Sequence, residues 1–317
     1  MMKRREAIAG YLFALPWIIG FLVFLFVPLA RSLYNSFTDY SVLKSPVWVG
    51  GKNYQNLLQD ELFWSSLGNT FYFAGFSIPL GTVAAIALAL LLNSDIKGQP
   101  LFRTVFFLPS LIPAVPLSIL WLWLFNGEFG LVNYTLDTVV GVFRNFHAGM
   151  GGGPIADLLF GWSTTFKNPN WFGDPWFSKP VLIIMAIWGV GNAVVIYLAG
   201  LQQVPQSLYE AADLDGASPW LKTLNVTIPM ISPVIMFNVI MGIIGALQVF
   251  TQAYIIFPGG APARSTYMYS MYIFDTAFRD LRMGYASAMG WVMFLIILCL
   301  TFLALRFFEK RVTYDRG

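Results

Sequence analysis

One cysteine and one histidine in 317 residues leave little metal or redox chemistry open. Cys299 alone excludes an internal disulfide and any cysteine-based cluster; set in an apolar run, it reads as a small buried thiol. His147 alone excludes a histidine-rich metal site. No G-x-x-x-x-G-K-[ST] is present: Gly50-Gly-Lys52-Asn lacks both the spacing and the hydroxyl, so the chain has no phosphate loop with which to hydrolyse ATP. Gly189-Val-Gly191-Asn-Ala-Val fails the dinucleotide pattern and lies in an apolar run, where small residues serve helix packing. Charge is scarce as well. Charged residues make up 11% of the chain, against about a quarter in soluble proteins. With 57% hydrophobic residues and a mean hydropathy of +0.65, this composition is that of a polytopic membrane protein. A net charge of +3 is too small to imply nucleic-acid binding.

The apolar runs predict six membrane helices and an all-α fold, since a span needs about twenty mostly apolar residues. They fall at about 11–30, 69–92, 104–125, 180–204, 228–257 and 285–305 of one membrane domain, 1–317. The first follows Lys3-Arg4-Arg5 as a signal peptide would, but its apolar core is too long and no A-x-A site follows, so it reads as a retained helix. The fifth opens with Pro229 and Pro233, which predicts a kink. No Asp, Glu, Lys or Arg lies deep in these runs. A mid-membrane charge costs at least about 2.5–3.5 kcal/mol and is the usual relay of ion- or proton-coupled carriers. Its absence weighs against a secondary carrier, which remains the alternative reading; a membrane-embedded scaffold or sensor is a third.

Orientation follows from Lys and Arg. With the N-terminus inside, the inner segments hold ten basic residues in about 56: Lys3, Arg4, Arg5, Lys97, Arg103, Lys222, Arg306, Lys310, Arg311 and Arg316. The outer segments hold nine in about 120 residues, so the density favours both termini in the cytoplasm. The outer segments are long. Trp48, Trp64 and several tyrosines in 31–68 suggest interfacial helices, and 126–179 contains the glycine-rich, flexible Gly149-Met-Gly-Gly-Gly-Pro154.

A polar island, 205–227, separates the fourth and fifth runs and falls on the cytoplasmic side. Ser207 and Glu210 have the S-x-x-E spacing of a capping box. Gly216 stands where a helix needs a left-handed stop, and Ser218-Pro219 reads as an N-cap followed by proline at the first helical position. The island is therefore predicted as two short helices hinged at Gly216. Asp213 and Asp215 sit at that turn, outside any pocket, and read as helix-end charges rather than a catalytic pair.

The residues of the island, Glu210-Ala211-Ala212, then Asp215-Gly216-Ala217, then Val226-Thr227-Ile228-Pro229, resemble the EAA loop of the membrane subunits of binding-protein-dependent ABC importers. The form EAAxxDGA is similar to the carbohydrate-uptake branch, the maltose and glycerol-3-phosphate permease-like family. Phe102-Arg-Thr-Val-Phe-Phe-Leu-Pro109, Trp171-Phe-Gly-Asp-Pro175, Gln248-Val-Phe-Thr-Gln252 and Phe257-Pro-Gly-Gly-Ala-Pro262 carry the same resemblance in the same order, from about Tyr11 to the Tyr314 tail. Leu224 and Val226 depart from it mildly, and about 25 residues near 142–168 look inserted, as a surface insertion or an added contact with an external binding protein.

The resemblance implies a permease of the type I ABC importer fold, in the bacterial inner membrane, that translocates a carbohydrate or related polyol. It implies a second homologous permease, two ATPase subunits that bind the ATP and magnesium, an extracytoplasmic solute-binding protein, and no catalytic residue, cofactor or metal in this chain. It assigns ATPase coupling to Glu210, Ala211, Ala212, Asp215, Gly216 and Pro229. The maltose permease's sugar-contacting positions fall on Ser110, Ala114, Gly189, Asn192, Gly242, Ala246 and Val249, of which only Ser110 and Asn192 are polar. Independently, uncharged polar residues deep in the runs are the candidates for holding a neutral sugar: Ser110, Asn192, Asn238, Gln248, Thr251 and Gln252. Gln248 and Gln252, four apart, are predicted on one helix face, with Asn238 close to it.

Overall fold

The computed structural model describes residues 2–94 and 97–309, with side chains from residue 10 onward. The side chains of Lys3, Arg4 and Arg5, the basic residues Lys310, Arg311 and Arg316, and the tail through Tyr314 therefore lie outside the described residues.

In chain order, α1 (Met2–Phe21) continues through a π turn (Leu22–Phe26) into α2 (Val27–Ser36). A hairpin of β1 (Thr38–Ser41) and β2 (Lys44–Trp48) precedes α3 (Lys52–Leu58) and the long α4 (Glu61–Asn93). Then come α5 (Gln99–Phe107) with a 3-10 turn (Leu108–Leu111), α6 (Ala114–Leu124), α7 (Leu131–Gly149) and α8 (Pro154–Thr165). α9 (Pro175–Trp188) and α10 (Gly191–Leu201) follow, then α11 (Gln206–Leu214) and α12 (Pro219–Lys222). A second π turn (Thr223–Thr227) joins α12 to α13 (Ile228–Met230), and α14 (Ser232–Leu247) and α15 (Thr251–Ile256) come next. The chain closes with α16 (Tyr269–Phe274) and α17 (Met283–Glu309).

Among the described residues, four helical stretches are long and apolar enough to cross a membrane: Gly10–Ser36, Glu61–Asn93, Ser232–Ile256 and Met283–Glu309. Two bent pairs bring the number to six: Gln99–Leu111 with Ala114–Leu124, and Pro175–Trp188 with Gly191–Leu201. The third apolar run is thus not one straight helix but turns through 101°. The cause is local. Ile112 precedes Pro113, whose ring disfavours the helical region for the residue before it, and Ile112 is extended at φ −76°, ψ 125°. The proline-flanked start of the fifth run breaks at Ile231, as the spacing of Pro229 and Pro233 anticipates.

The backbone falls into two compact units. In the unit of 1–64 and 272–296, the segment 31–68 forms the β-hairpin and one short helix rather than a set of interfacial helices. Asn53 fixes it by donating both amide hydrogens, to Ser36 O and Thr38 O, each at 2.9 Å. Asp60 caps α4, accepting from the backbone N–H of Leu62 at 2.9 Å. Its second oxygen takes the hydroxyls of Tyr272 and, at 2.7 Å, Tyr285. Burial opposes ionisation of Asp60, but these two hydroxyls and two backbone N–H groups outweigh it and hold the carboxyl below its ordinary value; the same burial and charge push the Tyr272 phenol up.

The other unit, 65–271 with 297–317, has its core where α4, α10 and the break after α13 meet: Ala85, Ala89, Leu92, Val194, Tyr197, Leu201 and Ile231. Small residues on α4 let α10 approach. Cys299, on the outward surface of α17, is exposed, so the expected burial fails: an apolar span hides its residues from water, not from lipid.

Candidate functional site

Two features of this second unit bear on function, a helical hairpin and a cavity. The hairpin is the polar island. α11 ends in a left-handed glycine, Gly216 at φ +72°. Ala217 N–H donates to Ala212 O at 2.9 Å and Gly216 N–H to Asp213 O at 3.0 Å, the paired bonds of a Schellman stop. Ser218 then caps α12, its hydroxyl accepting from Leu221 N–H at 3.4 Å, with Pro219 at the first helical position. The capping box at the other end does not form. α11 already begins at Gln206, with extended Pro205 at its N-cap and no side-chain cap, so Ser207 lies inside the helix where its hydroxyl cannot take that role.

Two contacts clasp the hairpin shut. Lys222 pairs with Asp213, and the Tyr209 and Thr227 hydroxyls stand 2.9 Å apart. Asp213 thus ties the two helices together, a role the sequence reading did not give it. Glu210 and Asp215 remain exposed, as do the apolar Leu214, Trp220, Leu221 and Leu224. Ala211 and Ala212 lie on α11, and Pro229 two residues before the break at Ile231.

The cavity, about 590 Å³, is walled by α4, the 3-10 turn before α6, the α9–α10 junction, α14 and α15. It gathers every residue singled out for the substrate path: Ser110, Gly189, Asn192, Asn238, Gly242, Gln248 and Gln252, with Ala114, Ala246, Val249 and Thr251. It adds Phe73, Ser77, Thr82, Tyr197 and Phe250, which the sequence reading passed over. Scanning the second run for hydroxyls would have found Ser77 and Thr82. None of its lining residues carries a formal charge.

Three helix breaks open onto this cavity: the 108–113 turn, Gly189–Val190, and 248–250. Irregular backbone at membrane depth is tolerated where it lines a cavity or is covered by protein. The last break corrects the helix-face argument: α14 ends at Leu247, and Phe250, at φ −136° and ψ −64°, is not helical. Gln248 and Gln252 therefore share the cavity wall but not a helix face. Gly191 explains how the α9–α10 junction comes so close. A Cβ there would lie 2.7 Å from Phe106 O and 3.2 Å from Ser110 Oγ, so only glycine lets α10 start directly on this turn and set Asn192 near Ser110. Among the described residues no cluster of His, Cys, Asp and Glu could hold a metal ion.

The cavity and the hairpin share a packed element. Tyr197 lines the cavity and is also part of the core cluster with Ile231, the residue that ends α13, into which α12 continues through the π turn.

Known proteins resemble this chain along most of its length. Residues 77–314 match the family described as binding-protein-dependent transport system inner membrane component. The chain is 36% identical to the probable ABC transporter permease protein YesP of Bacillus subtilis, over 98% of this chain and 94% of that protein. It is 35% identical to the lactose transport system permease protein LacF of Rhizobium radiobacter, over 95% and 94%. The trehalose/maltose transport system permease protein MalF of Thermococcus litoralis is 30% identical over 96% and 95%. In fold, a chain of a bacterial alginate ABC transporter, solved with its alginate-bound periplasmic protein, superimposes with a TM-score of 0.78 at 23% identity, over 96% of this chain and 95% of that one.

Proposed function

Because the chain belongs to the family of binding-protein-dependent transport system inner membrane components, we propose that its cavity is the passage for a neutral saccharide and its hairpin the seat of an ATPase. The protein is a permease subunit of a carbohydrate ABC importer, a transport subunit rather than an ATPase itself. The observation that carries the proposal is the lining: amides, hydroxyls and aromatic rings without a formal charge, around about 590 Å³, within the roughly 300–1,000 Å³ of small-molecule pockets. A sugar presents hydroxyls and apolar C–H faces, and these groups match both. An ion-coupled carrier would want a charge at this depth.

The partners follow from what this chain leaves open. The hairpin offers Leu214 and Trp220 to a surface outside the chain, with Glu210 and Asp215 beside them; this is the face on which an ATPase subunit docks, with ATP and magnesium held by that partner. The hairpin is then cytoplasmic, as are both termini. A second, homologous permease completes the path, two ATPases energise it, and an extracytoplasmic binding protein delivers the sugar. Closure of the ATPases moves α11 and α12 as one clasped body, and the spans alternate between outward- and inward-open states. The sugar shifts that equilibrium only as far as it binds one state better than the other.

The test is uptake of a panel of labelled saccharides, neutral and acidic, by proteoliposomes holding both permeases and the ATPases, with the binding protein added. Neutral saccharides should be taken up and acidic ones refused. Uptake of an acidic saccharide alone would overturn the reading of the cavity.

A further inference from the structure

The segment between α6 and α9 carries a structure that the transport reading does not use. α7 and α8 form an antiparallel hairpin, locked by Phe143 on Phe160 at 6.0 Å, Arg144 Nε donating to Ser163 O at 2.7 Å, and His147 against Asp157 at 2.7 Å. Helix geometry sets about 100° per residue. The buried Val140, with Phe143, Arg144 and His147, marks the side of α7 that meets α8, and the buried Ala156 and Ser163 mark the matching side of α8. Counted from those sides, with the two helices running in opposite directions, the exposed Val142, Phe146, Ile155, Leu158, Leu159 and Trp162 fall on one flank of the hairpin. Asp137, Arg144 and Asp157 fall on the other. On α8 the apolar set has the i, i+3, i+4, i+7 spacing of a single stripe, and Leu158 is 83% exposed.

The base of this hairpin is fixed where two spans end. α7 starts seven residues after α6 stops, and α9 starts ten after α8. Asn133 donates to Gly127 O at 3.0 Å and accepts from Trp171 Nε1 at 2.7 Å, and the Phe125 ring meets Trp171 at 5.0 Å. The hairpin is thus tied at its base to α6 and α9, which carry exposed apolar side chains of their own, as at Ile119 and Ile184. Trp162, Trp171 and Trp176 populate this segment as aromatic residues populate a membrane–water boundary.

From this we infer that the α7–α8 hairpin lies in the outer membrane interface, its apolar flank in lipid and its charged flank in water. The inference goes beyond the transport reading and rests on it only for the placement of the spans. A binding protein that leaves in each cycle would expose this flank to water, and surfaces of such transient complexes are no more apolar than ordinary protein surface. Lipid is always present, and an amphipathic element of this kind binds it through the buried apolar area.

The test uses the assembled complex in vesicles of phosphatidylethanolamine and phosphatidylglycerol, with Cys299→Ser as background. Nitroxide labels are attached to Leu158→Cys, Leu159→Cys and Asp157→Cys, with Val83→Cys and Phe302→Cys as span controls. Accessibility to oxygen and to a water-soluble nickel chelate is read before and after adding the binding protein. The expected result is an oxygen-to-nickel ratio at Leu158 and Leu159 that stands severalfold above Asp157 and below the span controls, as the shallow depth of an interfacial helix requires. A ratio equal to that of Asp157 overturns the inference. Shielding from both reagents before the binding protein is added assigns the flank to the second permease, and shielding that appears only afterwards assigns it to the binding protein; each overturns it. If neither control reports lipid, the membrane placement of the spans fails instead.

Discussion

The hydroxyls of Tyr209 and Thr227 meet at 2.9 Å across the left-handed turn at Gly216. With the Asp213–Lys222 pair, this contact makes two short helices one body. A displacement of α11 would then reach Thr227, four residues before Ile231, which packs in the core with the cavity residue Tyr197. The turn, the exposed face of the hairpin, the clasp at Asp60 and the cavity wall can each be tested separately.

Gly216→Val should impair transport more than Gly216→Asn. A non-glycine residue held in the left-handed region costs about 1–3 kcal/mol, most for a β-branched side chain and least for asparagine. A Cβ added at Gly216 would meet no neighbouring atom within 4 Å, so the effect is conformational rather than steric. Uptake rates of the two variants at equal expression decide it; equal rates would mean that the turn does not need φ +72°.

Glu210→Lys should leave the permease folded but uncouple it. The residue is exposed, so its own chain loses little. ATPase subunits should be lost on co-purification, or ATP hydrolysis should continue without uptake. Normal coupled transport would remove Glu210 from the docking face.

Asp60→Ala should lower the thermal stability of the detergent-purified complex, by about 1–3 kcal/mol, because it removes the carboxylate that accepts from both Tyr272 and Tyr285 and caps α4. Tyr272→Phe and Tyr285→Phe should each cost less. The carboxyl's folded-state pKa lies below the ordinary 3.8, so this stabilisation is fully present above that value and is lost only as pH falls through the folded value. The wild-type minus Asp60→Ala difference in melting temperature should be flat from pH 8 to about 5 and shrink below about 4. A difference that vanishes near neutral pH would contradict the clasp.

Asn192→Leu and Gln248→Leu should reduce uptake and alter sugar preference while leaving basal ATP hydrolysis in place, since both side chains line the cavity and neither is near the hairpin. Unchanged uptake and preference in both would move the sugar path off this wall.

Much of this was readable from the sequence because the determinants are local. Gly216, Ser218 and Pro219 specify their own turn and cap within a few residues, and twenty-residue apolar runs specify spans. The gathering of Ser110, Asn192, Asn238 and Gln248 was legible for another reason: an uncharged polar group at membrane depth needs a partner or a wet cavity. What was not legible depends on competition or on contacts distant in sequence. Ser207 lost the cap because Pro205 sets the helix start two residues earlier. The 101° turn needed the effect of Pro113 on Ile112 to outweigh an unbroken apolar run. Asp60 meets Tyr272 and Tyr285 from more than two hundred residues away, and no spacing announces that.

The most direct test of the central claim is the energy source of uptake. The complex, in proteoliposomes with its binding protein, is given a labelled neutral saccharide with either ATP or an imposed sodium or proton gradient. Uptake should require both ATP on the hairpin side and the binding protein on the other, should stop in Glu210→Lys, and should ignore the gradients. Uptake driven by a sodium or proton gradient without ATP would contradict the account and restore the ion-coupled carrier.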